Sequence, residues 1–190
     1  MWGVHAMARR PRNEDELRAA SDHLHYEIQM LRGTMTLLAT QAFGESVLSN
    51  ALIESLTIHA RALIHFLYPS GQLADSDVLA EDFFDDSKCW LTIRPEEPTA
   101  FGRARGRVNK EIAHLTYDRQ LVTPELKGWD FVALGNAILE VLQVFLAAVP
   151  RHLLCGRWQQ SSAEPGGPVS VEAPLVPGKY KTDVSTPGNV

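Results

Sequence analysis

Leu17, Leu24, Ile28, Leu31, Met35 and Leu38 recur every three, four or seven residues, with no strand-like alternation between them. At about 100° per residue, that spacing puts all six side chains on one face of a helix. Such a face has to be buried against another element, and the rest of the chain offers further helical stripes rather than strands. A long amphipathic helix is therefore predicted over 14–42. Asn13 is placed to cap it, Glu14 and Asp15 sit in its first turn, and Glu16 is spaced to close a capping box.

A second helix is predicted over 45–68, between Gly44 and the Pro69-Ser70-Gly71 stop, with Leu48, Leu52, Leu56, Leu63 and Phe66 on its apolar stripe. Ser76 is placed to cap a short helix over 77–84. The stretch 85–98 reads as irregular, with Trp90, Leu91 and Ile93 packing it back onto the helices. A third long helix is predicted over 99–119. Thr123-Pro124-Glu125 reads as a one-turn helix start. Asp130 is placed to cap a fourth long helix over 131–149, with Trp129 and Leu134 spaced as a hydrophobic staple and Pro150 as the stop. Asn136, Glu140 and Gln143 lie at i, i+4 and i+7 of that helix. The polar stripe they form argues for a buried helix, at the bundle centre or in a dimer interface, rather than a membrane span.

The fold class is accordingly all-α: an antiparallel up-and-down bundle of four long helices plus a short helix. Residues 1–12 read as a flexible lead-in, 13–158 as the helical domain, and 159–190 as a disordered tail rich in Pro, Gly and Ser. The 190 residues suit one domain, and a hydrophobic fraction of 45% with 22% charged residues excludes wholesale disorder and collagen. A net charge of −5 supplies no global field for nucleic acid, so any such contact needs a local basic patch. The N-terminus lacks the apolar core of a secretory signal, Met7 is an alternative start, and Cys89 and Cys155 read as reduced thiols, so a cytoplasmic location is expected. No metal, cofactor or membrane association is expected, and no phosphate-loop, dinucleotide, zinc-protease or nucleophile-elbow motif occurs. Asp75, Asp77, Glu81, Asp82, Asp85 and Asp86 read as a solvated acidic face.

Chemistry concentrates on the third helix. With Arg107 at 0°, Phe101, Val108, Ile112 and Leu115 fall at roughly 80–140° and form the core stripe. Arg103, Lys110, Glu111, His114 and Asp118 fall within roughly 60° of Arg107. Arg107 and His114 stand two turns apart, about 10.5 Å along the axis, close enough for both side chains to reach one phosphate-sized group. A histidine titrates near neutrality and moves protons, and an arginine clamps a phosphate bidentately. An ordinary surface of ion pairs fits the same spacing. On the second helix, His59 lies on the apolar stripe and reads as a hydrogen-bonded core histidine, while Arg61 and His65 are i, i+4 neighbours on another flank.

The segments 52–68, 77–84 and 107–116 together resemble the HEPN superfamily, the higher eukaryote and prokaryote nucleotide-binding helical domains, in its bacterial abortive-infection (AbiU-like) branch. The resemblance spans roughly residues 14–150. It implies a homodimer in which an Arg-x4–6-His motif faces its symmetry mate across a cleft and cleaves RNA without metal. By match, Arg107 holds the scissile phosphate and His114 acts as general acid or base. Arg103, Lys110, Glu111, Asp118, Arg61 and His65 would support them. The implied partners are a second copy, RNA (tRNA or mRNA) and an antitoxin protein. Active members commonly carry a polar residue directly after the arginine, and this chain has Val108 there. That departure favours the alternative, a non-catalytic helical module that binds a nucleotide, RNA or a partner protein.

Overall fold

The computed structural model describes residues 9–40, 46–108, 117, 128 and 130–160. Its longer elements are α1 (Glu14–Thr40), α2 (Val47–Leu67), α3 (Ser87–Ile93), α4 (Thr99–Arg107) and α5 (Phe131–Ala148), and α6 (Arg157–Gln160) is a single turn. Two 3-10 turns lie at Ala80–Phe83 and Arg151–Leu153. Every regular element among the described residues is helical, so the fold is all-α.

The helix starts follow local chemistry. The Asn13 side chain accepts from the Glu16 N–H at 2.9 Å, and the Glu16 carboxylate accepts from the Asn13 N–H at 3.0 Å, which completes the anticipated capping box. Ser46 caps α2 by accepting from Ser49 N–H. Asp130 caps α5 by accepting from Ala133 N–H.

The core forms where α1, α2 and α5 meet. Leu17, Leu24, Ile28, Leu31 and Met35 of α1 are buried, as their spacing requires. Gly135 lets α5 approach α1, because a Cβ there would lie 2.0 Å from Met35 Sδ. At the far end, Phe145 is wholly buried and meets Phe66, Phe83, Phe84 and Trp90 with ring centroids 5.0–6.0 Å apart, all edge to face. Trp90 Nε1 donates to the Leu67 carbonyl at 3.2 Å, so the buried indole keeps its hydrogen bond. After α5 the chain hooks back on α1. Ser21 Oγ accepts from Cys155 N–H, the Ser21 carbonyl accepts from Trp158 Nε1, and Trp158 meets His25 edge to face.

By length and composition α5 could cross a membrane, with mean hydropathy 1.9. Its Leu134, Ile138, Leu139, Leu142 and Phe145 are nevertheless buried within the protein. Glu140 of the anticipated polar stripe is exposed, while Asn136 and Gln143 are half-buried.

Three expectations change. The short helix over 77–84 is a 3-10 turn at Ala80–Phe83, and it starts at Leu79 rather than Ser76. Asp82 decides this, because its carboxylate accepts from the Leu79 N–H at 2.9 Å. The stretch 85–98 is not wholly irregular, since it contains α3. Seven residues are too few for periodicity to register, and Pro95 ends the helix just beyond Arg94, whose N–H still reaches the Trp90 carbonyl. Of the three residues expected to pack back, Trp90 does, but Leu91 and Ile93 are exposed. On α2, Leu56, Leu63 and Phe66 are buried and Leu52 is half-buried, while Leu48 stands 53% exposed near the helix start. The third long helix is seen as α4 over 99–107. Residues 109–116 and 118–119 of that helix, the 123–125 start, Trp129, residues 1–8 and most of the 159–190 tail lie outside the described residues.

Candidate functional site

The candidate site starts on α4, whose two sides differ in character. Phe101, Ala104 and Val108 are buried, as the stripe at roughly 80–140° from Arg107 requires. Phe101 meets Tyr68, at the end of α2, edge to face with centroids 5.7 Å apart. Tyr68 is itself held on several sides: its hydroxyl donates to the Pro95 carbonyl at 2.7 Å, and the Arg94 guanidinium lies 4.9 Å over its ring. Burial pushes the Tyr68 phenol above its ordinary pKa, with the Arg94 charge pulling the other way.

The three arginines of α4 have different surroundings. Arg105 donates to the Tyr68 carbonyl at 2.6 Å and pairs with Glu97, so it joins α4 to the end of α2. Sequence spacing did not single out Arg105, whose direction lies about 160° from that of Arg107. Arg103 is exposed and Arg107 is half-buried. Arg107 Nη1 donates to the Gly128 carbonyl at 3.0 Å, just ahead of α5. One guanidinium edge therefore serves structure.

His114, Lys110, Glu111 and Asp118 lie outside the described residues. On α2, Arg61 is exposed. His65 is half-buried, with Nε2 3.5 Å from Asp77 Oδ2, so it faces the loop that follows α2. No family model, curated protein or solved structure matches this chain. Its functional reading therefore rests on its own residues.

His59 is a hydrogen-bonded core histidine, as anticipated. It is 9% exposed, and its Nδ1 lies 2.7 Å from Glu27 Oε2 across the α1–α2 seam. The Tyr26 ring meets it edge to face. Among the described residues, no group of three or more His, Cys, Asp or Glu side chains is arranged to hold a metal ion.

The acidic run 75–86 is not simply a solvated face. Arg9, Arg10 and Arg12, from the segment expected to be a flexible lead-in, lie against Asp75, Asp77, Glu81 and Asp82. The signal was legible as two runs of opposite charge, but about 65 residues separate them and no local rule pairs them.

Proposed function

We propose that this chain is a HEPN-like helical-domain protein that cleaves RNA without a metal as a homodimer, in a phage-defence or toxin setting. Arg107 holds the scissile phosphate. His114 takes the proton from the attacking 2′-hydroxyl or gives one to the leaving oxygen. Arg103 and Lys110 supply the local positive charge that an acidic protein otherwise lacks, and Glu111, Asp118, Arg61 and His65 support the pair. The four-helix antiparallel bundle belongs to this reading, as do the cytoplasmic location and an antitoxin partner.

The observation that supports it most is the division of α4. Phe101, Ala104 and Val108 sit in the core, while Arg103 is exposed and Arg107 is half-buried on the flank where the Arg–His pair falls by spacing. A helix anchored in this way gives an arginine a rigid base, and phosphate positioning needs one.

A second reading has its own support. Val108 is 2% exposed, so the position directly after the arginine is part of the packing rather than of a polar site. This favours a non-catalytic module that binds a nucleotide, RNA or a partner protein through the same flank.

The deciding test is cleavage of end-labelled total tRNA in excess EDTA by the wild type and by His114→Ala. Cleavage by the wild type alone supports the nuclease reading. Equal cleavage by both removes His114 from the chemistry. If neither cuts, RNA retention that falls on Arg107→Ala supports the binding module.

A further inference from the structure

We infer that residues 9–12 form an electrostatic latch, which closes one wall of a cleft at the start of α1 and opens when its ion pairs are weakened. The cleft encloses about 720 Å³. Arg9, Arg10, Pro11 and Arg12 form one side, and the other is formed by Glu81–Asp85 with Pro150, His152 and Leu153.

The latch is held by ion pairs and hydrogen bonds. Arg9 grips Asp82 with both terminal nitrogens, at 2.9 and 2.7 Å, and also donates to the Asp77 carbonyl. Its third neighbour, Glu81, lies 3.9 Å away. The Arg10 N–H donates to Asp75 Oδ1 at 2.9 Å, and its guanidinium pairs with Glu16. Arg12 reaches Asp75 at 3.3 Å. Pro11, the sole apolar residue between Arg9 and Asn13, is exposed, so within 9–12 no apolar side chain anchors the segment. Arg9 and Arg12 keep only 14% of their side chains exposed, and the buried Arg9 Nε has no hydrogen-bond partner among the described residues. Closing the latch therefore leaves one donor unsatisfied, which lowers the cost of opening it.

The receiving side is built differently. Asp82 caps the 3-10 turn through the Leu79 N–H, and the neighbouring Phe83 is locked in the core. The strand thus moves against a fixed acidic ledge. Glu16 is the pivot, because one carboxylate holds Arg10 and also caps α1 at Asn13. Opening uncovers the cleft without disturbing α2 or α5. This inference is independent of the nuclease reading.

Hydrogen exchange of the full chain, read by peptide mass, tests it. Raising NaCl from about 0.01 M to about 1 M shortens the screening length from about 30 Å to about 3 Å. Exchange in peptides covering 9–13 is expected to rise by roughly tenfold, equivalent to losing one charge-assisted hydrogen bond, because the Arg10 N–H gives up Asp75. Peptides covering 56–67 and 134–145 should not change. Arg9→Gln should show the faster exchange already at low salt and lose most of the salt response. Salt-independent exchange at 9–13 in the wild type would overturn the latch. So would a parallel rise in 74–82, α2 and α5, which would mean that the ledge and the core loosen as well.

Discussion

The 3-10 turn at Ala80–Phe83 faces two regions that are held by different physics. On one side Phe83 enters the aromatic cluster around Phe145, where every ring is packed and the indole N–H is satisfied. On the other side Asp82, its neighbour in sequence, holds Arg9 in an ion pair that joins parts of the chain 73 residues apart. Dispersion and apolar burial in the cluster are indifferent to ionic strength, whereas the latch responds to both salt and protons. The same turn thus marks where the rigid part of the molecule stops and the adjustable part begins.

The largest effect is expected at Phe145. Truncation to alanine removes the ring that four others contact, and Phe→Ala changes in cores typically cost about 3–5 kcal/mol. Urea unfolding should show that loss in the midpoint at low and high salt alike. A loss that varied with salt would break the contrast between the two regions.

A smaller effect is expected on adding a single methyl group. Gly135→Ala places a carbon on the buried Met35 side chain, and overpacking of this kind costs about 1–3 kcal/mol. Combining it with Met35→Ala should cost less than the sum of the single changes, since the second substitution clears the space the first needs. Strict additivity would mean that the close approach is not what constrains α5.

The smallest effect belongs to the latch side and depends on pH. The hydrogen bond from Arg10, followed by that from the Asn13 N–H, lowers the Glu16 pKa to about 2 from its ordinary 4.5. A folded value below the ordinary one means that the ionised carboxylate favours the fold. The contribution is fully present above about pH 4.5 and is lost as pH falls through about 2. The Tm difference between wild type and Glu16→Gln should be constant at neutral pH and shrink steadily across that window. A difference that persisted at pH 2 would show that Glu16 acts by packing rather than by charge.

Much of the fold was legible in local order. The α1 stripe, the Asn13–Glu16 box, the Asp130 cap and the apolar side of α4 all follow from residues within two turns of one another, where helix geometry alone sets who meets whom. The sequence also separated Arg103 and Arg107 from the core-facing Phe101 and Val108. It did not show that Arg107 would reach the Gly128 carbonyl, or that Arg105 would bind the end of α2, because both contacts depend on how helices pack.

What the sequence determined by itself was therefore the helical class, the caps at Asn13 and Asp130 and most of the core-facing side of the long helices, since periodicity and capping act over one or two turns. The tertiary structure decided which polar side chains meet. Arg9 finds Asp82, His59 finds Glu27, and His65 turns to Asp77. Each pair joins residues that are not helical neighbours, and such a contact has no periodic signature, so its partner is set only when packing brings two surfaces together.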